Sequence, residues 1–208
     1  MPLVRRSKDS ASTSTPELPG TLNALASGDP EERWAAARAA ADVAGGTDAL
    51  ATALRTENDA RVREAMLTSL ARIGTLESAR QLLPLLRGDD AQLRTGALDA
   101  LRMMTAAVRE MLPQLLQDND EDVRILSCEL ARTLPGDEAT SLLCALLAGE
   151  QQVNVCAAAI EVLAEVGSPA ALPVLADCGR RFQHASFLGF AIKIATDRIN
   201  TQSVDTRG

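Results

Sequence analysis

Three stretches of the chain carry one pattern: NDARVREAMLTSLARIG from Asn58, DDAQLRTGALDALRMMT from Asp89 and NDEDVRILSCELARTLP from Asn119, spaced 31 and 30 residues apart. A unit of this length is too small to hide its own apolar face, so the copies must stack on one another. This period constrains the fold more than any other feature of the sequence.

Aligned on Arg33, Val62, Leu93, Val123 and Val155, the pattern extends to five copies with spacings of 29, 31, 30 and 32. Twelve residues after each anchor stands a break: Gly45, Gly74, Thr105, Pro135 and Gly167. The column eight after the anchor reads Ala41, Leu70, Leu101, Ala131 and Leu163, and the column eleven after reads Ala44, Ile73, Met104, Leu134 and Val166. Offsets of 0, 4, 8 and 11 lie on one face of an α-helix, which predicts a buried stripe. Asp29-Pro30, Asn58-Asp59, Asp89-Asp90 and Asn119-Asp120 supply helix-capping chemistry before four of the anchors. Glu150-Gln151-Gln152 supplies less, so the fifth copy is expected to start less sharply. A second apolar helix follows each break, with Pro84, Pro113 and Pro173 expected to kink the second, third and fifth of these.

Each unit is therefore a helical hairpin. The chain reads as all-α, a right-handed α-solenoid of about five hairpins plus a C-terminal capping helix. Residues 1–20 are Ser/Thr/Pro-rich and read as a disordered tail. The solenoid occupies 21–200, with the cap helix at 183–200, and 201–208 read as a flexible end. Leu and Ala carry the apolar content, with only three Phe, one Trp and no Tyr. A formal net charge of −7 and this shortage of stacking groups argue against nucleic acid as a partner. No apolar run approaches a membrane span. The basic start MPLVRRSKDS lacks the apolar segment of a secretory signal. Cys128, Cys144, Cys156 and Cys178 form no CxxC pair and read as reduced core thiols of a cytoplasmic, bacterial protein.

Asp59-Ala60-Arg61-Val62-Arg63, Asp90-Ala91-Gln92-Leu93-Arg94 and Asp120-Glu121-Asp122-Val123-Arg124, each followed by a turn and a Leu-rich second helix, resemble the HEAT-repeat family in its short bacterial, lyase-like form. The resemblance covers about residues 27–178; the first copy shifts its Arg–apolar order and the fifth loses both Asp and Arg. It implies a structural ladder in which Asp59, Asp90 and Asp120 bond Arg63, Arg94 and Arg124 between repeats. The competing reading is a row of arginines gripping carboxylates or phosphates.

No catalytic constellation stands in the sequence. His184 is the lone histidine, there is no phosphate loop and no nucleophile elbow. The chain reads as a non-catalytic adaptor or scaffold for another protein, with no cofactor and no metal. What the resemblance adds is a role in bacterial signalling or assembly, with second helices lining the concave side. Arg80, Gln81, Arg109 and Gln114 are the candidate partner-binding residues there. The alternative is an accessory subunit of an enzyme or cofactor-attachment system, as in the bilin lyases. Phe187 and Phe190 in the terminal helix read first as part of the cap, and second as anchors for a partner or for a second copy of the chain.

Overall fold

Asp29, Asp59, Asp90 and Asp120 each turn a carboxylate oxygen back to the backbone N–H groups of the following helix, at 2.9–3.1 Å. Orphan donors at a helix start need such acceptors, and this fixes where four hairpins begin. The computed structural model describes residues 18–205, and among these there is no strand. Most of the segment read as a tail, residues 1–17, lies outside the described residues, as do residues 206–208.

A short lead, α1 (Leu18–Asn23), runs into a 3-10 turn at Ala24–Ala26. The hairpins follow as α2 (Pro30–Ala40) with α3 (Gly46–Leu54), α4 (Ala60–Ile73) with α5 (Leu76–Leu82), α6 (Ala91–Arg102) with α7 (Thr105–Leu115), α8 (Glu121–Ala131) with α9 (Gly136–Gly149), and α10 (Val153–Val166) with α11 (Leu172–Arg181). Helix α12 (Ser186–Asp205) ends the stack, running through residues expected to be a flexible end. The first helices form one row, in which α2 packs on α4, then α6, α8, α10 and finally α12. The second helices form the other row, and the core lies between the two.

The column expected to be buried is fully buried at Leu70, Leu101, Ala131 and Leu163. In the first hairpin the buried residue is Ala40, not Ala41. The register there is one residue earlier than the sequence alignment suggested: Glu32 stands at the anchor and Arg33 aligns with Arg63, Arg94 and Arg124.

The prolines act differently from one another. Pro113 lies inside α7. Pro84 instead opens a 3-10 segment, Leu83–Arg87, where α5 stops, and Pro173 sits in the first turn of α11, where no backbone hydrogen bond is lost.

Two glycines respond oppositely to a methyl group. Gly46 is buried under the end of α2, and a Cβ there would lie 1.9 Å from the Ala40 carbonyl oxygen. Gly46→Ala is expected to cost about 1–3 kcal/mol through this overlap. Gly149, in the last turn of α9, faces open space, and Gly149→Ala is expected to stabilise by about 0.4–1 kcal/mol. Urea unfolding of the two variants beside the parent checks both signs.

Candidate partner-binding surfaces

Arg33, Arg63, Arg94 and Arg124 sit in the first turn of their helices, and each reaches back to a carbonyl six residues earlier. The acceptors are Ser27, Glu57, Gly88 and Asp118, at 2.6–2.9 Å. Three of these arginines also clasp an acid on the next hairpin. Arg33 forks onto Glu57 at 2.7 and 3.0 Å, Arg124 forks onto Glu150 at 2.8 and 3.2 Å, and Arg63 meets Asp90 at 2.9 Å. The expected ladder differs here. Asp90 caps with Oδ1 and meets Arg63 with Oδ2, but Arg33 and Arg124 take Glu57 and Glu150, and Asp59 and Asp120 serve as caps only. Arg94 has its carbonyl contact, while Asp118, the acid nearest in register, is engaged by Arg87.

Both glutamates do a second job. Oε1 of Glu57 accepts the N–H groups of Asn58 and Asp59, and Oε1 of Glu150 accepts those of Gln151 and Gln152. Glu150 thus serves the start of α10, whose capping residue Gln152 makes no side-chain cap bond. The readable signal was a glutamate two residues before the cap position, in Glu57-Asn58-Asp59 and Glu150-Gln151-Gln152.

At the fifth hairpin Cys156 takes the arginine's place, with Sγ 4.0 Å from the Glu150 carbonyl oxygen. Arg181, from the end of α11, donates instead to the carbonyls of Glu150, at 2.8 Å, and Leu147. These arginines are engaged within the chain, at carbonyls, acids or both.

The Arg33 hydrogen bond and the backbone donors hold Glu57 below the usual carboxylate range, against the opposing effect of burial. At Glu150 burial pushes upward, but Arg124 and the two backbone N–H groups prevail and lower it. Asp90 is lowered by the Leu93 N–H and by Arg63. A carboxylate depressed in the folded state stabilises above its unfolded value, about 4.3 for Glu, and that contribution is lost as pH falls through the folded value. Urea midpoints are therefore expected to fall as pH drops below about 4, and less steeply in Glu57→Gln/Glu150→Gln.

On the second-helix row, Arg80 and Arg109 are exposed on α5 and α7, Gln114 is exposed on α7, and Gln81 is half-buried. Arg109 pairs with Glu138 of α9 at 3.0 Å, and Gln81 bonds Glu77 and Asp48. Among the described residues, the side chains of Arg55, Arg80, Lys193 and Arg198 have no ion pair, hydrogen bond or ring contact. Two of these free cations lie on the second-helix row and two on α12.

Helix α12 is apolar on both sides. Leu188, Ala195 and Ile199 are fully buried, and α12 packs on α10 and α11. Phe187 and Phe190 point away, 53% and 68% exposed. The cap is therefore built without the phenylalanines, because the helix places them on its outer side.

Cys128, Cys156 and Cys178 are fully buried and Cys144 is half-buried, all as free thiols. Burial pushes Cys128 up to about 12, whereas the Cys156 hydrogen bond and nearby Arg181 draw Cys178 downward against burial. Among the described residues no three His, Cys, Asp or Glu side chains gather as a metal site, and no helix is long and apolar enough to cross a membrane.

The archaeal HEAT-like repeats protein from Thermococcus onnurineus NA1 has a similar fold, with TM-score 0.50 and 18% identity, covering 88% of this chain and 87% of that one. A designed armadillo repeat protein in complex with the peptide (KR)4 aligns with TM-score 0.44 and 18% identity, covering 88% and 99%. The CpcE–CpcF complex of phycocyanin lyase from Nostoc sp. PCC7120 aligns with TM-score 0.38 and 16% identity, covering 95% and 99%. No curated protein matches. The HEAT repeats family matches residues 18–102 and 108–183, most of the chain and every hairpin described above. The chain belongs to the HEAT-repeat family.

Proposed function

We propose that the protein is a non-catalytic scaffold that holds a segment of another protein along its second-helix row, with Arg80 and Arg109 meeting acidic groups. The observation that carries this reading is the state of Arg80: exposed on α5, the second helix of the row, with its side chain without a partner among the described residues, in a chain that ties up most of its arginines. Arg guanidinium groups suit carboxylates in such a setting. Arg109 is held by Glu138, so an incoming carboxylate would have to share it. The setting we propose is the bacterial cytoplasm, in signalling or assembly, and the reduced thiols support a reducing compartment.

The test is capture of partners from native cells at low salt by the parent and by Arg80→Glu/Arg109→Glu. The expected result is a partner retained by the parent and lost from the variant. A partner bound equally by both overturns the assignment to this row.

A further inference from the structure

Cys156 stands where the other first helices carry the ladder arginine, and the fifth joint is built differently around it. The cysteine lies in the first turn of α10, and Cys178 lies in the last turn of α11. In an antiparallel hairpin the start of one helix faces the end of the other, so both thiols come to the same end of the pair. Arg181 fixes that juxtaposition. Its Nη1 donates to the Glu150 carbonyl oxygen at 2.8 Å, and Cys156 Sγ lies 4.0 Å from the same oxygen. Cys178 precedes Arg181 by one turn, and its thiol hydrogen-bonds that of Cys156. Both cysteines are fully buried.

The surroundings of this pair are unlike those of the other two thiols. Cys128 is buried on α8 and Cys144 half-buried on α9, and burial pushes both toward the inert protonated form. Beside Cys178 stands the Arg181 guanidinium, whose Nε–H is buried and has no hydrogen-bond partner. Asp177 Oδ2 is 3.8 Å from that nitrogen, beyond hydrogen-bond reach, and Asp177 is tied to Arg180 at 2.7 Å. The Glu150 carboxylate is tied to Arg124. A thiolate at Cys178 gives the orphaned N–H a strong acceptor. The Cys156 hydrogen bond and Arg181 accordingly lower Cys178 against burial and Asp177, while Cys156 is raised. The pair thus divides into an attacking sulfur and a partner that keeps its proton.

We propose that Cys156 and Cys178 are a modification site for hydroperoxides, which oxidise the two thiols to a disulfide joining α10 to α11. The Cys178 thiolate attacks one oxygen of the peroxide. An S–O bond forms, the O–O bond breaks, and the departing oxygen takes up a proton and leaves as an alcohol, or as water from hydrogen peroxide. Cys156 then gives up its proton and attacks the Cys178 sulfur. The S–S bond forms, the S–O bond breaks, and the hydroxide leaves with the Cys156 proton as water. Two thiols are oxidised and one peroxide is reduced, by two electrons. Hydrogen peroxide is close to water in size, and local opening of the last hairpin at the end of the stack admits it. The product closes the loop between the two helices and holds that hairpin together.

The experiment treats the folded, reduced full chain with hydrogen peroxide. Remaining thiols are then labelled with iodoacetamide in denaturant, and the peptides are mapped by mass spectrometry. The expected result is a Cys156–Cys178 link within one chain, with Cys128 and Cys144 labelled. The thermal midpoint is expected to rise by about 5–10 °C over the reduced chain, and dithiothreitol to reverse the rise. Cys156→Ser is expected to hold Cys178 at the sulfenic acid, which dimedone traps, and Cys178→Ser to leave Cys156 reduced. Circular dichroism verifies both folds, and the link in the parent is read without them. Full labelling of Cys156 and Cys178 after peroxide overturns the proposal. So does a link that forms only once the chain is unfolded, or oxidation that falls on Cys144 instead. Partner capture through Arg80 is a separate readout, so either proposal can fail alone.

Discussion

Glu150→Ala is expected to destabilise the protein by about 3–5 kcal/mol, the range for breaking a buried ion pair by removing one member. The side chain of Glu150 is 6% exposed and that of Arg124 is 13% exposed, so water cannot replace the lost partner cheaply. The same substitution orphans the Gln151 and Gln152 N–H groups at the start of α10, where no other side-chain cap is available. Glu150→Gln keeps an acceptor oxygen for those donors but loses the charge, and should lie between the parent and Glu150→Ala. An exposed pair such as Arg180–Asp177 supplies the contrast, because exposed pairs contribute about 0–1 kcal/mol. Equilibrium urea unfolding at neutral pH measures all three. A loss below about 1 kcal/mol for Glu150→Ala would mean that solvent reaches the clasp.

Ending the chain after Ala185 is expected to cost on the order of 5 kcal/mol or to abolish cooperative unfolding. The reason is that Leu188 and Ile199 are both fully buried, and removing such a side chain costs about 2–5 kcal/mol. The outer side of the same helix should behave in the opposite way. Phe187→Ala/Phe190→Ala is expected to stay within about 0.5 kcal/mol of the parent, as exposed substitutions do. Thermal and urea unfolding of the truncated and doubly substituted chains separate the two sides. An unchanged midpoint on truncation would show that α10 needs no cover.

The helix starts were legible because capping is local: an aspartate and the N–H groups it accepts lie within three residues of each other. The buried column was legible because Leu70, Leu101 and Leu163 repeat with the helical period. The first hairpin was misaligned by one residue because its helix is nearly all alanine between Trp34 and Ala41, and alanine does not mark one face. The partners of the arginines were harder to read. The resemblance implied aspartate partners from neighbouring repeats; Asp90 does meet Arg63, but at two other joints the loop folds Glu57 and Glu150 into reach instead. At α12 the period predicts an apolar helix but cannot say which of two apolar sides faces α10. That choice is made by the stack, so the direction of Phe187 and Phe190 was not in the pattern. The free state of Arg80 is likewise a tertiary fact, since it depends on neighbours from α3 and α7.

Among the described residues, no hydrogen bond or ion pair joins groups more than 37 residues apart. Any signal from α1 to α12 must therefore be relayed joint by joint, with a chance to be absorbed at each. A perturbation at one end should leave the other almost unaltered.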